Sequence, residues 1–196
     1  MTILLFDAGG VLIELGPPPI KTQWLPPDQT LDDVWSNWIS MDAGRKFESG
    51  QISAVEFAQE MISTLELKTD TESFIEHFRA WPVAPFAGTR EWLLDISNSF
   101  HTAMLSNTNE LHWRRMKDEM GLGDVLNDYF LSHKMGLVKP DREIFDKVVS
   151  LLNTSPAEIV FFDDNQKNID AAKAVGMRAV LTQGAEQLRK AVQDLS

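Results

Sequence analysis

Residues 3–10 read ILLFDAGG: a compact apolar run stops at Asp7, and Ala8, Gly9 and Gly10 follow at once. Residues 159–176 read IVFFDDNQKNIDAAKAVG, where four apolar residues lead into Asp163, Asp164 and Asn165. A short apolar run bounded by turn formers reads as a buried strand. The segment after the second run has helical spacing over 168–175, and Gly176 takes the left-handed position that closes a helix.

The same alternation extends outward from these two stretches. Residues 102–105 and 179–181 are further runs of strand length, and 129–131 is a weaker one. Residues 90–96, 110–120 and 142–152 read as helices. In the last of these Ile144, Phe145, Val148, Val149 and Leu152 share one face. Strands bounded on both sides by helices imply a parallel sheet covered on both faces, an α/β class. Residues 17–86 differ in character and offer no convincing strand. There 31–41, 53–65 and 72–81 read as helices, the second opened by the capping-box pair Ser53 and Glu56. The expected division is a core of residues 1–16 and 87–196 with a small α-helical cap, 17–86, inserted after the first strand.

Composition fits this plan. The chain has 196 residues, 43% hydrophobic and 24% charged, enough for one globular domain with a small insertion and a full core. That balance excludes a mainly disordered or fibrous chain. No apolar stretch approaches the ~20 residues that cross a bilayer. The first apolar run has no basic residue before it and is cut by Asp7, unlike a signal peptide. The absence of cysteine excludes disulfides, thiolate zinc sites and a Cys nucleophile, and fits a reducing, cytoplasmic setting. Eighteen Lys and Arg against 29 Asp and Glu give a formal charge of -11, the wrong sign for nucleic acid or an anionic membrane. A small anionic substrate would therefore need locally concentrated positive charge.

Ligands of open parallel sheets collect at the carboxyl ends of the strands. Three apolar runs end there in polar residues: Asp7, then Ser106-Asn107-Thr108-Asn109, then Asp163-Asp164-Asn165. If these meet, two or three negative charges share a few Å, and each like pair at ~4 Å costs about 4 kcal/mol at an effective dielectric of 20. Such a cluster takes up protons or binds a cation. Hard oxygen donors with no His or Cys beside them favour Mg²⁺. Ser106 suits either a phosphate-oxygen donor or a helix N-cap. Lys139 precedes Pro140, read as the first residue of the helix over 142–152. A Lys there opposes the helix dipole, which an anionic ligand beside the carboxylates would explain.

In this order the segments FDAGGVL, LSN, the Lys of VKP and FFDDNQKNIDAAKAVG resemble the four motifs of the haloacid dehalogenase-like hydrolase superfamily. The closest resemblance is to the bacterial subgroup related to α-D-glucose-1-phosphate phosphatase, whose small helical cap GRKFESGQISAVEF resembles. The resemblance implies a three-layer Rossmann-like core and a Mg²⁺-dependent phosphomonoester hydrolase. Its substrate would be a small phosphorylated metabolite, a sugar phosphate such as a sugar 1-phosphate, and the protein a monomer or homodimer. By the same resemblance Asp7 would be the nucleophile that forms an aspartyl-phosphate. Asp7, the Gly9 carbonyl and Asp164 would hold Mg²⁺, with Asp163 in support. Ser106, the Asn107 backbone and Lys139 would bind the phosphoryl group, and Gly9 and Gly10 would let backbone approach it.

One position departs from the superfamily's phosphatases, which carry a second Asp two residues after the nucleophile as general acid and base. Here that residue is Gly9. Three readings follow: a substrate with a good leaving group, a substitute acid among His112, His133 and Asn109, or a weak phosphatase kept as a binding module. A 2-haloacid dehalogenase, which needs no metal, is a further alternative. From the cap, Lys21, Arg45, Lys46 and Glu48 are candidate polar contacts. Trp24, Trp35, Trp38 and Trp81 lie in the same stretch, with Trp35 and Trp38 at i,i+3 expected in the cap's own core.

Overall fold

The computed structural model describes residues 2–32, 34 and 41–195. Its centre is a parallel five-stranded sheet in the order β5-β4-β1-β6-β7. The strands are β1 (Ile3–Phe6), β4 (His101–Ser106), β5 (Asp128–Leu131), β6 (Ile159–Asp163) and β7 (Arg178–Leu181). All five expected strands are present, each within a residue of its sequence reading. Phe6 pairs with Met104 on one side and Phe162 on the other, so β1, β4 and β6 end level with one another.

Side-chain alternation divides the core into two layers. Leu4, Phe6, Met104, Val160 and Phe162 point to one face, where they pack with Leu93, Leu188 and Val192. Ile3, Leu5, Ala103, Leu105, Ile159 and Phe161 point to the other, against Ile144, Phe145, Val148 and Ile169. Both faces are dry, so the central strands read as continuous apolar runs. Of the covering helices, α4 (Thr89–Ile96) precedes β4, while α5 (Glu110–Asp118), α7 (Arg142–Leu152) and α8 (Gln166–Ala174) come after β4, β5 and β6. Helix α8 starts two residues before the expected 168 because Asn165 caps it, its side chain accepting from the Lys167 amide. A further helix, α9 (Gly184–Gln193), buries Leu188 and Val192 and has no counterpart in the sequence reading.

Between β1 and β4 the chain forms α1 (Asp42–Glu48), α2 (Ala54–Thr64) and α3 (Thr71–Arg79). The capping box of Ser53 and Glu56 opens α2 as expected. These helices enclose a separate hydrophobic cluster that includes Trp24, Phe47, Phe57, Phe74 and Phe78, with Phe47 and Phe57 stacked at 4.6 Å. Trp35 and Trp38, and with them most of the helix expected over 31–41, lie outside the described residues. One expectation for 17–86 fails. Pro82–Pro85 is a strand, β3, paired antiparallel with β2 (Ile13–Leu15) in a two-stranded ribbon at the base of the insert. Prolines cannot donate to a ladder, so the segment read as punctuation. A two-stranded ribbon leaves each strand an outer edge where they are tolerated. No helix among the described residues is long and apolar enough to cross a membrane.

Candidate active site

Because β1, β4 and β6 end level, Asp7, Ser106 and Asp163 emerge side by side at one edge of the sheet. Asp7, Asp163 and Asp164 each offer a carboxylate oxygen, and these oxygens lie within 4.8 Å of one another. Lys139 reaches back from the loop before α7 into the same group. Its Nζ donates to Asp7 Oδ1 (2.8 Å), Asp163 Oδ2 (2.6 Å) and the Leu105 carbonyl (3.1 Å), which uses all three ammonium protons.

This placement corrects the reading of Lys139 as a cation set against a helix dipole. Helix α7 begins at Arg142 behind an Asp141 N-cap, so Pro140 lies outside it. The buried ammonium is compensated by carboxylates of the chain itself. Burial alone would lower the Lys139 pKa, but Asp7 and Asp163 outweigh it and hold the group above its ordinary value.

The two consecutive aspartates have different surroundings. Asp163 is fully buried, and its oxygens accept from Lys139 Nζ, the Asn165 amide and Asn168 Nδ2. Asp164 faces the cleft, and burial and the Asp163 charge raise its pKa. Burial also raises the Asp7 carboxyl, to about 7, although Lys139 pulls it down. Three carboxylates against one ammonium leave two negative charges uncompensated. That deficit, with donors that are all oxygen, fits one divalent hard cation.

Gly10 has φ +70, and an added Cβ would collide with the Asp164 carboxylate, so glycine here makes room for that side chain. Its amide donates to the Ile13 carbonyl (2.8 Å) and its own carbonyl accepts from Gly184 (2.7 Å). Gly10 does not line the cleft; Gly9 does. Ser106 is not an N-cap, a role taken by Asn109. Among the described residues the Ser106 hydroxyl has only a long contact of 3.4 Å to the Asn107 carbonyl, which leaves it able to turn to a ligand. The side chain of Asn107 is committed elsewhere: it accepts from the Lys139 amide (2.8 Å) and donates to the Lys139 carbonyl (2.9 Å).

These groups floor a cleft of about 410 Å³ roofed by the helical insert. Of the insert's polar candidates, Arg45 and Glu48 line it, as does Trp81, whose indole N–H donates to the Gly16 carbonyl (3.1 Å). Arg45 is ion-paired to Asp141. Lys46 pairs with Asp42, and Lys21 lies over the Trp24 ring, so neither reaches the cleft. Trp24 is buried in the insert's cluster. Glu48, partly buried, has no hydrogen bond or ion pair among the described residues, and burial pushes its carboxyl up to about 7 against the pull of Lys139.

The residues weighed as substitute acids are otherwise engaged. His112 Nε2 donates to the Phe78 carbonyl (2.8 Å), and Nδ1 accepts from Asn109 Nδ2 (3.1 Å), which fixes a neutral ring. Burial lowers its pKa to about 4. Asn109 caps α5, its Oδ1 taking the His112 amide. His133 lies on α6 (Ser132–Met135) outside the cleft lining, with Nδ1 buried and without a hydrogen-bond partner among the described residues.

Comparison with known proteins agrees with this geometry. A family model described as haloacid dehalogenase-like hydrolase matches residues 1–176. A D-ribitol-5-phosphate phosphatase of Bacteroides thetaiotaomicron is 27% identical over 88% of this chain and 87% of its own. A sesquiterpene phosphatase of Aspergillus oryzae is 26% identical over 88% of this chain and 85% of its own. A crystal structure of a HAD family enzyme from Bacteroides thetaiotaomicron, in complex with magnesium and inorganic phosphate, superposes with TM-score 0.74 at 22% identity. That match covers 93% of this chain and 94% of the other. A family match over nine-tenths of the chain, joined to aspartates at the ends of adjacent parallel strands and a buried lysine between them, makes this chain a member of the haloacid dehalogenase-like hydrolase family.

Proposed function

We propose that the protein is a Mg²⁺-dependent phosphomonoester hydrolase acting on a small sugar or polyol phosphate. The observation that carries this reading is the charge deficit at the cleft floor, where three carboxylates face one ammonium. Asp7, Asp164 and the Gly9 carbonyl would hold the cation, with Asp163 positioning Lys139 and Asn168 beneath it. When bound, Mg²⁺ would supply Lewis-acid stabilisation of phosphoryl charge. The relatives that act on phosphate esters, and the solved relative that holds magnesium and phosphate, support the same reading.

Asp7 would attack phosphorus in line with the ester oxygen, the P–O ester bond would break, and water would then hydrolyse the aspartyl-phosphate. As the attacking Asp7 loses its charge, the Lys139 proton it held becomes available to a phosphoryl oxygen. Ser106 adds a second donor. A cleft of about 410 Å³ suits a metabolite rather than a macromolecule.

The test is hydrolysis of p-nitrophenyl phosphate and of a sugar- and polyol-phosphate panel, with Mg²⁺ or with EDTA. Turnover that requires Mg²⁺ and disappears in Asp7→Asn is expected. No turnover at micromolar enzyme with Mg²⁺ present would instead indicate a binding module, and halide release from a 2-haloacid in EDTA a dehalogenase.

A further inference from the structure

We propose that Glu48, carried by the helical insert, is the acid and base that exchanges protons with the leaving oxygen and then with the attacking water. This rests on the phosphatase reading above and extends it to a catalytic residue outside the sheet. Gly9 cannot play the part, and the space above it is taken: a Cβ at Gly9 would meet Leu15 Cδ1 at 3.0 Å. Some other group must move the proton, because alkoxide leaves phosphorus poorly. General acid–base help of this kind is worth ~10²–10⁴ in rate.

Elimination within the cleft leaves one candidate. Asp7, Asp164 and Lys139 belong to the charge cluster on the floor. His112 is locked between Phe78 and Asn109, and Arg45 is paired with Asp141. Lys167 sits exposed at the start of α8. Glu48 lines the same cavity from the insert, at the last residue of α1, and unlike Asp7 it has neither a hydrogen bond nor an ion pair among the described residues; Asp164, whose side chain also lacks both, is set apart by its place in the carboxylate cluster. It lies near enough to Lys139 to feel its charge, and Lys139 touches Asp7 at 2.8 Å. A carboxyl left unpaired in a cleft costs stability, a cost that a role in the reaction would account for. Its raised pKa also suits a group that must hold a proton for one step and take one back in the next.

The proton ledger closes. In the first step the Asp7 oxygen bonds to phosphorus, the P–O ester bond breaks, and the Glu48 proton goes to the departing oxygen, releasing alcohol and leaving a carboxylate. In the second, water bonds to phosphorus, its proton passes to Glu48, and the Asp7–phosphorus bond breaks to release phosphate.

Glu48→Gln keeps the shape and removes the proton. With an alkyl phosphate such as ribitol 5-phosphate we expect kcat to fall ~10²–10⁴-fold with no burst. With p-nitrophenyl phosphate, whose leaving group needs no proton, steady-state turnover also falls because the second step lacks its base. Rapid mixing should then show a burst of nitrophenolate approaching one per active site as the aspartyl-phosphate accumulates. Glu48→Asp should recover part of the steady-state rate. Glu48→Gln turning over alkyl phosphate within threefold of the native protein would overturn the assignment. So would a rise in KM alone, or equal losses on both esters with no burst in a protein of native melting temperature. A native protein inactive on every ester would remove the phosphatase reading itself, whereas an active native protein indifferent to Glu48→Gln would remove only this inference.

Discussion

The side-chain amide of Asn107 grips the backbone of Lys139 on both sides, accepting from its N–H at 2.8 Å and donating to its carbonyl at 2.9 Å. The end of β4 thereby fixes the loop that delivers the buried ammonium, 32 residues away in sequence. Replacing Asn107 by Leu removes both bonds at similar volume. We expect a stability loss of about 1–3 kcal/mol in urea unfolding and a drop in kcat of up to ~10²-fold from the misplaced Lys139. An unchanged kcat would show that the loop holds its shape without the amide.

Removing the ammonium itself should be harsher. Lys139→Met leaves Asp7, Asp163 and Asp164 facing one another without a cation, a defect worth about 3–5 kcal/mol. The carboxylates can relieve it by taking up protons, so the loss should be largest near pH 8 and shrink toward pH 5. A loss independent of pH in chemical denaturation would count against the charge explanation.

Mg²⁺ should stabilise the native protein. At a hundred times its Kd a ligand adds about 2.7 kcal/mol, which for a chain of this length corresponds to roughly 5–10 °C in melting temperature. Asp164→Asn should abolish that shift. It should also melt higher than the native protein in EDTA, because it removes one of the repelling charges. Equal Mg²⁺ shifts in both proteins would exclude Asp164 as a ligand.

His112 makes stability depend on acid. Its folded pKa is about 4 against an ordinary 6.5, so the unfolded chain binds the extra proton between those values. Its contribution is complete above pH 6.5 and is lost as pH falls through about 4, on the order of 3 kcal/mol in all. Unfolding free energy of His112→Gln should therefore fall less steeply over that window than that of the native protein.

The strand ends were the legible part of the site. Apolar runs followed by Asp7, Ser106 and Asp163-Asp164 place chemistry at one sheet edge by a rule that needs no coordinates. Lys139 was legible as unusual but not as to cause, since its partners are 24 and 132 residues away. The duty of the Asn107 side chain was hidden for the same reason. His112 read as a candidate acid because nothing local announces the Phe78 carbonyl that claims its Nε2. Strand β3 was masked by its own prolines. Helix α9 offers few apolar residues besides Leu188, Ala191 and Val192, a sparse stripe for periodicity to detect. Glu48 stood among four cap residues of equal promise, and only the shape of the cleft separates it from Lys21 and Lys46.

The insert packs around its own aromatic cluster and meets the helices beside the sheet through Arg45 to Asp141, Arg79 to Glu119, the Phe78 carbonyl to His112, and the stacking of the Phe78 and His112 rings at 4.5 Å. Substitutions inside that cluster and away from Glu48 and Phe78 are thus energetically insulated from the carboxylates and lysine at the strand ends. Substrate preference can drift through changes in the roof that leave Glu48 in place, whereas a change that shifts α1 would move the proposed proton donor together with the fit.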